Sequence, residues 1–207
     1  MKPRDLLDNH PDVWQKATRH PFLDGVREGA LSTGAFDSWL KQDYVFVSDL
    51  LVFQARLLAR SPRPHQAVLA GGLVAVEAEL GWFEDKARER GLELAAHRLP
   101  ATAAYRDFMF GMENEPYPAA ITALWALELA YLEAWRGAAP GHSEYREFVE
   151  HWTTREFADY VAGLEEAAGA SLESADGKEL QRAESTFLEV CRLERDFWEM
   201  ALQVGNE

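Results

Sequence analysis

The sequence lacks most features of a secreted or membrane-bound protein. Its single cysteine cannot form a disulfide within the chain, which fits a reducing cytosol. No apolar run approaches the ~20 residues that a membrane span needs. The N-terminal stretch MKPRDLLDNH has no apolar core of the kind that a secretion signal carries. These absences predict a cytoplasmic protein without a membrane partner.

Basic residues are also scarce. The chain has 21 Lys and Arg against 35 Asp and Glu, which gives a formal net charge of −14. Such a surface repels phosphate backbones, and no cluster of Lys and Arg interrupts it. We therefore expect no nucleic-acid partner, and the acidity indicates a well-solvated surface.

What the sequence does contain is helical periodicity from end to end. Its 207 residues, 47% of them hydrophobic, are enough for one domain over 1–207 with a real core. The apolar spacing and the Gly and Pro breaks predict helices at 10–17, 21–29, 35–60, 65–90, 102–112, 119–136, 143–167 and 178–204. Loops this short between helices this long predict an all-α, compact bundle of about seven to eight helices.

Three acidic residues fall on apolar helix faces. Glu194 shares a stripe with Cys191 and Trp198, Glu128 lies in the middle of the very apolar stretch 121–135, and Asp43 belongs to the apolar face of 35–60. A buried carboxylate is costly unless it is paired or hydrogen-bonded. If two such acids approach each other, one keeps its proton near neutral pH, as a general acid or base must.

Aromatic residues accompany each of these acids. Tyr44 and Phe46 follow Asp43, Trp125 and Tyr131 flank Glu128, and Phe197 and Trp198 follow Glu194. Aromatic walls with a few acids suit a planar, amine-bearing heterocycle. The structural alternative is that the rings are core packing and that each acid pairs with an Arg or caps a backbone group. Asp49 is expected to be solvated.

Other kinds of chemistry find little support in the sequence. Glu147 and His151 are spaced i, i+4, but the paired Glu-x-x-His motifs of helical di-iron sites are missing. Gly71-Gly72 lacks the Lys-Ser/Thr partner of a phosphate loop. Cys191 is predicted to be a small buried hydrophobe, because no activating base lies near it in the sequence. We expect neither a metal nor a cofactor.

Taken together, the motifs resemble those of the TenA/Thi-4 family of thiaminase II-like proteins. The most specific match is HPFLDGVREGALSTGAFDSWLKQDY, residues 20–44, followed by the Glu-x-x-Phe-Trp motif of 194–198. PATAAYRDFM, with Tyr105, and GHSEYREFVEHW, with Trp152, are similar as well. The resemblance spans the whole chain and implies the haem-oxygenase-like helical fold and a homo-oligomer, a tetramer or dimer.

The resemblance also implies pyrimidine chemistry in thiamin salvage. Family enzymes hydrolyse 5-aminomethyl-4-amino-2-methylpyrimidine to the hydroxymethyl compound and ammonia, and some cleave thiamin. By resemblance, Asp43 binds the amino-pyrimidine edge and Phe46, Tyr105 and Trp152 contact the ring. Glu194 is then the residue that transfers protons.

The chain departs from the better-known branch of the family, which has a nucleophilic cysteine in the helix equivalent to 121–135. Here that helix offers Glu128 at or beside the position, so the chain resembles the Cys-lacking branch with a glutamate pair. Members of that branch are associated with aminopyrimidine and formylaminopyrimidine hydrolysis. We expect Glu128 to act as base on water and Tyr131 to orient that water, while Tyr44 and Trp198 contribute to substrate binding.

Two other functions stay open on the sequence alone. One is a pyrimidine-binding or regulatory protein without turnover, in which the acids bind and do not react. The other is a metal-dependent oxidase with the same haem-oxygenase-like fold.

Overall fold

A computed structural model describes residues 1–204, and in that range the chain is helical without any strand. The α-helices are α1 (Pro3–Asn9), α2 (Pro11–Thr18), α3 (Pro21–Glu28), α4 (Thr33–Ala59), α5 (Gln66–Arg90), α6 (Pro100–Gly111), α7 (Tyr117–Ala138), α8 (Arg146–His151), α9 (Arg155–Glu173) and α10 (Gly177–Val204). Short 3₁₀ helices, Arg63–His65 and Met112–Asn114, precede α5 and follow α6. The all-α prediction is confirmed.

The differences from the predicted helices are confined to two regions. The short helix α1 was not predicted, and the expected helix over 143–167 is in fact two helices, α8 and α9. The break falls at Thr154, whose hydroxyl accepts a hydrogen bond from the Phe157 amide and so starts α9. The gap between the predicted helices 143–167 and 178–204 is also shorter than expected, because α9 continues to Glu173 with Ser171 and Leu172 buried.

The described residues form two compact units, each made of separate chain segments. The first unit comprises Met1–Leu31 and Glu115–Trp198, and the second comprises Ser32–Asn114 and the described residues from Glu199 onward. In the first unit α7 is the central helix, with α2, α3 and α9 packed against it. Residues 118–130 of α7 are all buried, as expected of a helix that is apolar on every side.

The sequence around α3 shows why this unit folds as it does. The His20 ring accepts a hydrogen bond from the Phe22 amide and thereby caps the helix, which begins with Pro21. Gly29 ends the helix with φ of 72°, and a Cβ there would come within 2.5 Å of the His142 ring. The histidine, proline and glycine of this motif therefore have local structural roles.

The second unit is built on the long helix α4, which packs against α5 and α6. Ser32 caps α4 by accepting a hydrogen bond from the Ala35 amide at 3.2 Å. At the far end of α4, the Arg60 guanidinium donates to the Met112 carbonyl at 2.7 Å. α4 and α6 therefore finish at the same end of this unit.

None of the helices in residues 1–204 combines the length and the apolar character that crossing a membrane requires.

Candidate active site

Glu194 is buried on the apolar face of α10, as its sequence spacing predicts. Only 3% of the residue is exposed, and Phe187, Val190, Cys191 and Trp198 of the same stripe are buried with it. The charged residues outside the stripe pair on the surface, where Arg192 binds both Glu189 and Asp196. The carboxyl of Glu194 is therefore set apart from the other acids of its helix.

Cys191 lies one turn before Glu194 and is equally buried. Burial, followed by the negative charge of Glu194, raises the pKa of the Cys191 thiol from 9.0 to about 12. The thiol consequently keeps its proton at neutral pH, and a protonated thiol is a poor nucleophile. The prediction that Cys191 behaves as a small buried hydrophobe is confirmed.

Glu128 is the buried acid of α7, as Glu194 is of α10. It is 6% exposed and lies within the apolar run of that helix. Trp125 precedes it by three residues and Tyr131 follows it by three, so all three share one broad helix face. The chain therefore places a second carboxyl at the buried centre of the first unit.

Two ring contacts bring the acid-bearing faces of α7 and α10 together. Trp125 lies over Phe187 with ring centroids 6.4 Å apart, and Tyr131 stacks on Trp198 at 5.9 Å. Residue numbers rise in the same direction along both helices, so this stretch of α7 and α10 runs parallel. Glu128 and Glu194 each fall between the two ring contacts.

Further rings extend this aromatic cluster within the first unit. Trp152 meets Tyr131 edge-on at 5.4 Å and stacks on Trp135 at 4.8 Å. The Trp198 indole donates to the Ala17 carbonyl at 3.2 Å, which fixes its ring. Tyr131 and Trp152 are thus in mutual contact, as residues of one binding surface need to be, while Trp198 is a fully buried support beneath Tyr131.

The other predicted site residues belong to the second unit. Asp43 is 1% exposed on α4, and Phe46 one turn later meets Tyr105 of α6 with ring centroids 4.8 Å apart and planes tilted by 56°. Tyr44 takes a different direction, because its hydroxyl donates to Glu84 of α5 at 3.1 Å. Burial, and then this bond to Glu84, raise the Tyr44 pKa above its ordinary value.

The expectation for Asp49 was wrong. Its side chain is buried on α4 and accepts hydrogen bonds from the Arg98 guanidinium at 2.8 and 2.7 Å. Asp49 thus takes the role that the structural alternative gave to every buried acid, a pairing with arginine.

The chain matches the TENA/THI-4/PQQC family model over residues 7–204. It belongs to this family. A probable bifunctional TENA-E protein of Glycine max is 30% identical over 94% of this chain and 90% of its own length. An aminopyrimidine aminohydrolase of Halalkalibacterium halodurans is 24% identical over 95% of this chain and 93% of its own.

A crystal structure of a TenA homologue from Pyrococcus furiosus has the same fold. The two superpose with a TM-score of 0.93 at 30% identity, over 97% of this chain and 100% of the other. The likeness to a TenA structure thus covers both ring-lined regions, α4 with α6 and α7 with α10.

Reasoning from the sequence missed two residues beside these TenA family positions. Gln42 lies in the family motif but received no role, and Arg98 was not considered. Gln42 donates to the His97 carbonyl in the segment that leads into α6, and Arg98 lies in that segment and binds Asp49 of α4. Neither could be found by periodicity, since their partners lie 49 to 60 residues away along the chain.

Two surface clefts of the first unit lie away from the predicted site residues. Among residues 1–204, no three His, Cys, Asp or Glu side chains are grouped so as to hold a metal ion. Two clefts on the first unit have volumes of about 560 and 330 Å³. They are lined by α1 with α9 and by α2 with α7, and none of the predicted site residues lines either cleft.

Proposed function

We propose that this TenA-family protein is a hydrolase of thiamin-related aminopyrimidines that works without a cysteine nucleophile. The observation that carries the proposal is the pair of buried acids, Glu128 and Glu194, on helix faces joined by stacked rings. The Halalkalibacterium relative, an aminopyrimidine aminohydrolase, supports the same reaction class.

Substrate binding is assigned to one acid and three rings. Asp43 would accept a hydrogen bond from the amino group of the pyrimidine. It would accept a second one from the neighbouring ring nitrogen when that nitrogen is protonated. Phe46 and Tyr105 offer tilted faces 4.8 Å apart, and Trp152 offers a third aromatic surface for a planar ring. Tyr44 and Trp198 are proposed as further contributors to substrate binding, and the buried position of Trp198 favours a supporting role.

Proton transfer is assigned to the two glutamates. Water adds its oxygen to the methylene carbon as the carbon–nitrogen bond breaks, which gives the hydroxymethylpyrimidine and ammonia. Glu194 gives its proton to the leaving nitrogen, or to the ring nitrogen whose protonation makes it leave, and Glu128 takes one from the water. Tyr131, one turn after Glu128, would orient that water.

The same proposal places the protein in the Cys-lacking branch of the family. α7 carries no cysteine, and the thiol of Cys191 stays protonated because of its burial. A covalent thiol intermediate therefore has no nucleophile of the usual kind, and direct attack by water is the simpler reaction.

An end-point assay tests the proposed function. The protein is incubated separately with the aminomethylpyrimidine, its N-formyl derivative and thiamin, and hydroxymethylpyrimidine is followed by chromatography. Product from at least one of the three supports the hydrolase and identifies its substrate. No product, together with a saturable thermal shift, would overturn the hydrolase in favour of a binding or regulatory protein. Turnover only after iron is added would favour the oxidase.

The assembly and cellular setting are proposals as well. We propose a single functional domain in the cytoplasm, which acts on a free small molecule, and a homo-oligomer, either dimer or tetramer. Support for self-association comes from α5, whose residues 67–76 carry no charge although several are exposed. Val74 in this stretch is 72% exposed, and the Ala and Gly residues around it allow a helix of a second copy to approach closely.

A further inference from the structure

Gln42 is a buried glutamine whose amide is engaged on three sides. Its Nε2 donates to the His97 carbonyl at 3.0 Å, and its Oε1 accepts from the Leu99 amide at 3.0 Å and from the Thr102 hydroxyl at 2.6 Å. A carbonyl needs a donor and an amide needs an acceptor, so these partners fix which end of the side chain is oxygen. Both lone pairs of Oε1 are in use.

The partners of Gln42 lie at the start of α6, which has no side-chain cap of its own. Its N-cap residue is Leu99, whose apolar side chain cannot accept a hydrogen bond from the first amides of the helix, and its first residue is Pro100. Gln42 therefore supplies from α4 a polar group that the sequence of α6 does not provide. The start of α6 is held by another helix.

A second bond from α4 reinforces this attachment. Asp49 lies seven residues after Gln42, which is two helix turns and therefore the same face. Its buried carboxylate binds both nitrogens of the Arg98 fork, between the residues that Gln42 holds. Asp43 and Phe46 lie between these two anchor points on α4.

The attachment sets the register between α4 and α6. Gln42 contacts Thr102, and one turn further along both helices Phe46 contacts Tyr105 at 4.8 Å. Thr102 and Tyr105 are three residues apart on one face of α6. Sliding or rotating α6 would therefore break the Gln42 bonds and change the distance and tilt of the two rings together.

We propose that Gln42 is a positioning residue that sets substrate affinity by fixing Tyr105 against Phe46. The proposal rests on the function proposed above. Gln42 would act through the 97–102 segment rather than by touching the pyrimidine. Ring contacts are the same in the bound substrate and in the transition state. Loss of the Gln42 side chain should therefore weaken substrate binding more than it slows the chemical step.

Kinetics of Gln42→Leu test this role. We expect KM to rise about tenfold with kcat within about threefold of the parent, since small displacements of binding groups cost up to ~10²-fold. Thr102→Val, which keeps its shape and loses the hydroxyl, should raise KM in the same way, and Thr102→Ser should restore it. Thr102→Val also serves if Gln42→Leu does not fold. An unchanged KM in both variants overturns the proposal.

The matched control is Gln54→Leu on the same helix. Gln54 is also buried, but its amide donates to the Leu69 carbonyl of α5 at 3.0 Å. This variant should lose stability without a rise in KM. If it raises KM as much as Gln42→Leu does, the effect is a general loss of packing and the positioning role is contradicted.

Two further readouts separate this proposal from the proposed function. Hydrogen exchange at the Leu99 amide should speed up in Gln42→Leu and not in Gln54→Leu, because only the first removes its acceptor. Calorimetry with hydroxymethylpyrimidine gives affinity without turnover. If the parent protein binds hydroxymethylpyrimidine but turns over no substrate, the proposed hydrolase is contradicted. The affinities of the parent and of Gln42→Leu for this ligand then still decide the role of Gln42. If the parent protein does not bind hydroxymethylpyrimidine at all, both the proposed hydrolase and the positioning role of Gln42 are contradicted.

Discussion

Tyr131 of α7 stacks on Trp198 of α10 with ring centroids 5.9 Å apart and planes only 17° from parallel. The contact matters because each ring lies one turn beyond an acid, Glu128 on α7 and Glu194 on α10. Together with the contact of Trp125 and Phe187, it fixes how the two helices align. That alignment supports the pairing of Glu128 with Glu194 that we propose.

Glu128→Gln tests the base. Removing the carboxylate while keeping its shape should lower kcat by about 10²–10⁴-fold and leave the helical circular dichroism unchanged. The control is Glu133→Gln on the same helix. Glu133 accepts a hydrogen bond from the Trp14 indole at 2.7 Å, and the amide oxygen of a glutamine can still accept it. Parent-like turnover of Glu128→Gln would remove Glu128 from the reaction.

Asp43→Asn tests the recognition of the amino edge. A charged hydrogen bond contributes about 1.5–3 kcal/mol, so kcat/KM should fall by about 10- to 100-fold. Asp37→Asn is the control, because Asp37 lies on the same helix and binds Arg90 of α5 at 2.7 Å. Equal losses in the two variants would show that Asp43 has only a structural effect.

The helices and the buried acids could be predicted from the sequence, but the residues that bind these acids could not. Spacing at three and four residues located Glu194 and Glu128 on buried faces, because that pattern is local. The break at Thr154 was missed because it is made by one side-chain hydroxyl that caps α9, which the spacing of apolar residues does not reveal. Asp49 was misplaced because its burial depends on Arg98, which lies 49 residues away along the chain.

The thiol of Cys191 should make the protein sensitive to alkali. The thiol ionises near pH 9 in the unfolded chain and near pH 12 in the folded one, so unfolding releases a proton between these values. The free energy of unfolding should therefore fall with rising pH, by about 1.4 kcal/mol per unit from this group alone. Its contribution is fully present below pH 9.

Denaturant titrations of the parent and Cys191→Ala at pH 8, 9.5 and 10.5 measure this effect. The difference in unfolding free energy between the two proteins should shrink as the pH rises, because only the parent has the thiol. A constant difference across this range would show that the folded thiol ionises as readily as the unfolded one.

Self-association through α5 can be tested at Val74. Val74→Asp places a charge in the uncharged exposed stretch 67–76, so it should lower the mass measured by light scattering without unfolding the chain. Val13→Asp on α2 is the matched control, since Val13 is an exposed valine of the first unit, 37% exposed. The same mass for all three proteins would exclude this face as the contact between copies.

The most direct test of the central claim compares two variants on the substrate that the assay identifies. Glu194→Gln and Cys191→Ala change residues one turn apart on the same buried face of α10. The acid-pair account predicts that Glu194→Gln loses about 10²–10⁴-fold in kcat while Cys191→Ala stays within about threefold of the parent. A Cys191→Ala protein without activity, beside an active Glu194→Gln protein, would contradict it and restore the thiol as nucleophile.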